Sequence, residues 1–255
     1  MDKFKTYYQV LQVPIFTILI VYAMTNLSFW IILLGIIFGY PLMILSQEVG
    51  GHRYFSHHSF EISSLWEKAI ALSMMMVGNG SPLDWRVHHL EHHQFSDTDK
   101  DPVSPKKVGR IGLLSNMWKL QYKPQHFGLR TLVWVNNKKP QWVVYHKYYF
   151  WGMVAYQLIC LSLGLQWFIA LVCIPVVMTN VYFNCVSAFC HQHRLKYNEP
   201  HLALNNKWID IFSPGTGYHA EHHNKPGIYR YSKLDFAASI IDAIKLNNSQ
   251  EKQHA

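Results

Sequence analysis

Sixteen histidines stand among 255 residues, and three tight clusters hold most of them: His52, His57 and His58; His88, His89, His92 and His93; and His219, His222 and His223. The string H-x-E-H-H occurs twice, as His89–His93 and as His219–His223. On a helix, positions i, i+3 and i+4 are rotated by about 300° and 400°, so the three imidazoles of each string project from nearly one face. Such a face can supply nitrogen ligands to one metal ion or to two adjacent ones, and a duplicated string suggests two equivalent sites. Imidazole suits iron, zinc, copper and nickel alike, so the donor type leaves the metal open. Glu91, Asp97, Asp99, Asp101 and Glu221 lie close by in sequence and are suitable acceptors for the outer ring N–H of a ligating histidine.

His52 and His57 are five residues apart, which turns them about 140° from each other on an ideal helix. They can share a site where the helix frays or ends, and Gly50-Gly51 just before them favours an irregular backbone. A lone histidine at a helix end is usually solvated or capping, yet His191 follows an apolar stretch as His52 does, which makes it a ligand candidate. His126, His146, His193, His201 and His254 lack clustered partners, and His58 and His88 are extra members of their groups. His88–His92 also matches the inverted zinc-peptidase pattern H-x-x-E-H. That reading leaves the second H-x-E-H-H and the His52 cluster unexplained.

The positioning elements are written in the distribution of charge. No Asp, Glu, Lys or Arg occurs from Thr6 to Gln47 or from Tyr148 to His193. A span needs about 20 apolar residues, so each stretch is long enough to cross a membrane twice, with breaks at Thr25-Asn26 and Leu163-Gly164. The expected fold is an all-α integral membrane protein: four transmembrane helices in two hairpins, roughly residues 8–24, 28–47, 148–164 and 166–190. Residues 48–147 and 191–255 form a cytoplasmic helical cap that carries the metal site, and the whole chain reads as one domain. Ala69–Leu83 is too short to span and reads as an interfacial or re-entrant piece. Phe236, Ala237, Ile240, Ile241 and Ile244 share one helical face, so this stretch is expected to lie on the membrane or pack on the cap.

The net charge of +8 comes from lysines and arginines that all lie outside the two apolar stretches. Their segregation places both termini and the central segment on the cytoplasmic side and argues against nucleic acid as a partner. Cys160, Cys173, Cys185 and Cys190 contain no C-x-x-C pair and read as small packed hydrophobes. The N-terminal apolar run has no small-residue cleavage site before the next span and reads as a retained anchor.

These residues resemble the membrane-bound fatty acyl desaturases of the stearoyl-CoA (delta-9) type. His52–His57 matches the first family box, H-x-x-x-x-H, and continues into Ser59-Phe60. His89–His93 matches the second, H-x-x-H-H, followed by the family-like Phe95–Pro102, and Gly217–His223 matches the third. The resemblance covers residues 8–245. It implies an oxidoreductase that uses O2 to place a cis double bond in a fatty acyl chain, with two iron ions as cofactor and the membrane lipid as surroundings. It also implies nine ligands. His52, His57, His89, His93 and His222 would hold one iron, and His92, His191, His219 and His223 the other. No flavin or cytochrome segment is present, so electrons are expected from a separate ferredoxin or cytochrome b5. The rival readings are a membrane di-iron hydroxylase of a lipid or hydrocarbon and, more remotely, a metal transporter, which the uncharged spans disfavour.

Two departures from the family pattern stand out. Animal members carry an asparagine four residues before the match to His191, holding a water at the second iron. Here that position is Ser187, with Asn184 one turn earlier. The animal W-x-R-D-H is replaced by Trp85-Arg86-Val87-His88-His89, and the lead-in Ser81–Trp85 looks more like bacterial relatives. A bacterial inner membrane is therefore favoured over the endoplasmic reticulum of a eukaryote, and the acyl carrier stays open among coenzyme A, acyl carrier protein and glycerolipid. Lys106, Lys107, Lys119 and Lys123 are candidates for an anionic headgroup site.

Overall fold

The computed structural model describes residues 3–124, 127–191 and 203–246. His126, His193, His201 and His254 lie outside the described residues. Within them every regular element is a helix, with isolated antiparallel bridges at Ile62–Lys245 and His191–Ala203. The first hairpin is α1 (Lys3–Asn26) and α2 (Phe29–Met43). Thr25 and Asn26 end α1 by bonding back to the Tyr22 carbonyl, a competition with the helix ladder that short polar side chains commonly win. Ser28 then caps α2 through the Trp30 N–H.

α2 does not stop at its expected end. It runs on as a π-helical segment, Ile44–Ser56, giving one continuous apolar helix from Phe29 to Ser56. In the second hairpin α9 (Gln141–Ser162) turns at Leu163-Gly164, where Gly164 takes a φ of +113°. The return is α10 (Leu165–Phe168), a π turn (Ile169–Cys173) and α11 (Ile174–Phe189). Among the described residues three helices are long and apolar enough to cross a membrane: Lys3–Asn26, Phe29–Ser56 and Leu165–Phe189. α9 has the length, but His146, Lys147, Gln157 and its many tyrosines lower its hydropathy.

The hairpins pack closely. A Cβ on Gly35 would lie 2.4 Å from Ile174 Cδ1, so the small residue is what lets α2 approach α11, as at close helix contacts in membranes. Phe16 meets Phe168 edge to face at 5.5 Å, and Tyr156 donates to the Leu171 carbonyl at 2.7 Å.

Between the hairpins lie α3 (Ser64–Val77), α4 (Pro82–Phe95), the short α5 (Pro105–Val108), α6 (Arg110–Leu114) and α7 (Trp118–Gln121), and α8 (Phe127–Lys138). After them come α12 (Lys207–Phe212), α13 (His219–Asn224) and α14 (Phe236–Ile244). α3 packs Ile70 and Met74 on the π segment, so the expected interfacial piece has a buried face. Buried Glu67 on α3 accepts from Tyr54, Gln141 and Tyr145 at 2.6, 3.0 and 3.1 Å, tying α3 to the π segment and α9. α14 buries Ala237, Ala238, Ile241 and Ile244, packing on the π segment and its core. Each fully buried large side chain in that core contributes about 1.5–3 kcal/mol.

Candidate metal centre

Three pieces of local structure aim the histidines. The first is the π segment. Its widened turn closes with the bond from His57 N–H to the His52 carbonyl, 3.1 Å, an i→i+5 bond that brings residues five apart close together on one side. The backbone leaves ideal α geometry after Met43 and the helix ends at Ser56, between the two histidines, with His57 as its C-cap; π-helical turns are frequent at functional sites. Gly51 is required here, since its Cβ would lie 2.6 Å from the Trp85 ring.

The second piece is α4. It starts at a capping box in which Ser81 Oγ receives the Asp84 N–H at 3.2 Å and the Asp84 carboxylate accepts the Ser81 N–H at 3.1 Å, with Pro82 in the first turn. The third is α13, which carries the second H-x-E-H-H string.

These elements gather the histidines into two groups. The facing ring nitrogens of His52, His57, His89 and His222 lie within 4.8 Å of one another, and so do those of His92, His191, His219 and His223. His93 joins the first group, its Nε2 standing 2.8 Å from His222 Nε2 and 3.1 Å from His89 Nε2. His52 and His222 face each other at 2.9 Å, His57 and His89 at 2.8 Å, and His191 and His219 at 3.0 Å. The reason for the doubled histidines is visible. α4 gives His89 and His93 to the first group and His92 to the second, whereas α13 gives His219 and His223 to the second and His222 to the first. Adjacent residues on a helix point about 100° apart, so one helix serves two sites.

The outer ring nitrogens are engaged elsewhere. Nδ1 of His52 lies 3.3 Å from Glu48, that of His92 3.0 Å from Asp101, that of His191 3.1 Å from Asp97, and that of His222 2.9 Å from the Tyr231 hydroxyl. A carboxylate has only acceptors, so Nδ1 of His52, His92 and His191 carries the proton and Nε2 presents a lone pair inward. Converging lone pairs at these separations repel each other and are satisfied by a cation. The donor set therefore fits a metal ion in each group, and imidazole nitrogen alone suits several transition metals.

Electrostatics separate the groups further. Burial, then the crowding of neighbouring imidazoles, holds His57, His89, His93, His222 and His223 well below the ordinary histidine value. Burial also lowers His92, but the Asp101 carboxylate outweighs it and the net shift is upward. In His191 burial outweighs Asp97 and the net shift is downward.

Several sequence expectations change. Asp99 is exposed and stands apart from the ring nitrogens that Asp97 and Asp101 reach. Glu91 is buried and accepts from Tyr122 at 2.9 Å, and Glu221 accepts from Asn205 at 2.8 Å. Asn184 is committed to a structural chain, accepting from Trp118 at 3.2 Å and donating to Asn116 at 2.8 Å. Ser187, by contrast, is buried and lines the cavity of about 30 Å³ between the groups, together with Glu48, Trp85, His88 and Thr216. His88 belongs to neither group. Its Nδ1 donates to the Asp84 carbonyl at 2.7 Å, and burial lowers its pKa to about 4. His58 pairs with Glu61 at 2.6 Å and His146 with Ser81 at 2.6 Å.

Lys107 and Lys123, with Lys100, line a groove against Trp118 and Tyr122, and Lys106 is exposed on the same short helix as Lys107. Lys119 points inward instead. It is buried, donates to Asn79 at 3.3 Å, and is pushed down to about 8 by that burial. A separate apolar groove of about 500 Å³ is lined by Tyr40, Met43, Met178, Tyr182, Phe189 and Phe212. Sequence reasoning missed Glu48 and Tyr231. Glu48 was findable, since it sits one helical turn before His52; nothing in the spacing points to Tyr231.

The sequence pattern of the fatty acid desaturase family matches residues 27–244, and the chain belongs to that family. It is similar to "Delta-9 acyl-lipid desaturase 1" of Arabidopsis thaliana, 30% identical over 190 residues, covering 70% of this chain and 59% of the relative. It is also similar to "sn-1 stearoyl-lipid 9-desaturase" of Anabaena variabilis, 26% identical over 192 residues and covering 70% and 66%. A third relative is "Hex-5-enoyl-[acyl-carrier protein] acetylenase" of Moorena producens, 24% identical over 215 residues and covering 74% and 65%. The chain thus spans about three fifths of the length of the Arabidopsis relative.

Proposed function

We propose that this protein is an O2-dependent fatty acyl desaturase that introduces a cis double bond, at the delta-9 position, into a saturated acyl chain. The observation that carries the reading is the pair of buried histidine groups whose inward nitrogens converge on two neighbouring points. An unactivated methylene C–H bond lies beyond side-chain acid or base chemistry, so a redox metal must supply the oxidising power. Two iron ions bound in the groups would supply O2 activation, with His52, His57, His89, His93 and His222 holding one and His92, His191, His219 and His223 the other. Electrons come from a separate ferredoxin or cytochrome b5.

The protein's own residues supply position. The acyl chain lies in the apolar groove and reaches the histidines past Tyr182, whose hydroxyl stands 3.5 Å from Glu48. Trp85, Phe183 and Val186 exclude water at the cavity wall. Lys100, Lys107 and Lys123 receive an anionic headgroup. The chain forms one domain with four spans, α9 completing the second hairpin, and both termini and the cap face the cytoplasm.

The relatives' names support an acyl substrate and differ on its carrier, one naming acyl-lipid and another acyl carrier protein. The test is expression in a host deficient in unsaturated fatty acids, followed by mass spectrometry of its lipids. Mono-unsaturated chains with the double bond at carbon 9 are expected. Hydroxylated chains would establish the hydroxylase reading instead, and an unchanged lipid profile from iron-loaded protein with an active donor would overturn both.

A further inference from the structure

His222 differs from the other backed histidines because its outer nitrogen meets a phenol. Its Nδ1 lies 2.9 Å from Tyr231 Oη, and Tyr231 Oη donates to the Ile228 carbonyl at 2.7 Å. A phenol has one proton. With that proton on Ile228, the hydroxyl accepts from His222 Nδ1–H. The contact fixes the tautomer of His222 and leaves its Nε2 lone pair facing His52 and His93.

Tyr231 is itself held by an arginine from the segment that supplies His52 and His57. The Arg53 guanidinium is fully buried, stacks over the Tyr231 ring at 5.3 Å, and donates through Nη1 to Asp235 at 2.9 Å and to the Tyr229 carbonyl at 2.6 Å. Asp235 accepts the Tyr231 N–H at 3.2 Å and caps α14 through the Ala238 N–H at 2.9 Å. A buried ion pair that loses one partner leaves an unpaired charge and is strongly destabilising, so Arg53 and Asp235 lock the backbone of residues 229–235 in place.

We propose that Tyr231 is a positioning residue for His222, set by the buried Arg53–Asp235 pair, so that the segment after α13 governs metal binding in the first histidine group and leaves the second untouched. The inference rests on the histidine groups holding metal ions. Outer partners of ligating histidines typically contribute about 10- to 100-fold in metal affinity, and the effect here falls on one ion of two.

The test uses full-length protein in detergent with Co2+ as the probe, which reports each site by its visible absorption. Wild type is expected to bind two ions. Tyr231→Phe keeps the ring and its stacking on Arg53 while removing the hydroxyl. It is expected to weaken one ion by about 10- to 100-fold, with the second ion and the unfolding midpoint of the metal-free protein unchanged. Tyr229→Phe, on the same segment, is expected to bind both ions as wild type does. Two ions at wild-type affinity in Tyr231→Phe would overturn the proposal, and so would equal weakening of both, which is the mark of a general structural role. His222→Ala separates this from the underlying reading. It is expected to lose one ion, and if it keeps both, the metal reading falls and the inference with it.

Discussion

The two histidine groups are built from the same two strings and come out different. The first takes five imidazoles from the π segment, α4 and α13; the second takes four, from α4, α13 and the end of α11. In the first, the outer nitrogens of His52 and His222 meet one carboxylate, Glu48, and one phenol, Tyr231; in the second, those of His191 and His92 meet two carboxylates, Asp97 and Asp101. A duplicated H-x-E-H-H suggests two sites; two histidine groups form, and their surroundings differ. Each string is split between the groups, and the extra elements on either side differ. What surrounds the repeat thus sets the number of imidazoles in each group, and on the proposed di-iron reading the second group, with one fewer, would take a further ligand from the cavity side, where Ser187 stands.

Removing a shared-helix ligand from either group is the largest perturbation. His92→Ala is expected to abolish turnover and to reduce bound iron from two ions per chain toward one, with the helical circular dichroism retained. Elemental analysis that finds two irons in an active His92→Ala protein would break the comparison at its root.

Next in size are the carboxylates that distinguish the second group. Asp101→Asn and Asp97→Asn leave the shape nearly unchanged but remove the charge beside His92 and His191, and each is expected to weaken one ion by about 10- to 100-fold. The ion affected should be the one that Tyr231→Phe spares. Chelator competition on all three variants, read by Co2+ absorption, checks the assignment, and a common site of loss would contradict it.

Ser187 gives a smaller and sharper test. If its hydroxyl holds a water at the second group, Ser187→Ala should lower turnover per bound iron by about 10-fold, while Ser187→Asn, with both a donor and an acceptor, should keep much of the activity. An alanine variant at full turnover, paired with a damaged asparagine variant, would mean that Ser187 only packs the helix.

A separate effect is expected on the stability of the metal-free protein as pH changes. His89, His93, His222 and His223 have folded values well below their unfolded ones. As pH falls below about 6.5 the unfolded chain takes up protons that the folded chain refuses, so stability declines. It is level above that pH. His92, shifted the other way, opposes part of this decline. Thermal unfolding from pH 5 to pH 8 measures this, and a flat profile would contradict it.

Much of this arrangement was legible in the residues. Charge-free stretches and their polar interruptions located the hairpins, and the spacing of H-x-x-H-H located two of the three clusters on helical faces. The His52–His57 pair was legible as chemistry, and its spacing with Gly50-Gly51 pointed to an irregular backbone; that the irregularity is a π turn was not, because nothing in the residue types distinguishes a widened turn from a frayed one. Asp97, Asp99 and Asp101 are indistinguishable in sequence; a turn with Asp97 at φ +64° decides which ones face inward. Lys119 reads as a headgroup candidate and is buried instead, because its burial depends on Asn79 from a distant loop. Tyr231 reaches His222 across a loop with no periodicity, so no pattern could reveal it.

The sharing of α4 and α13 between the groups has a consequence for their geometry. The axial rotation of α4 that aims His89 and His93 also sets the direction of His92, and the rotation of α13 that aims His219 and His223 also sets that of His222. A turn of either helix about its axis would misalign both groups at once, whereas a change beside a single ring, as at Tyr231 or Asp101, would reach one group alone.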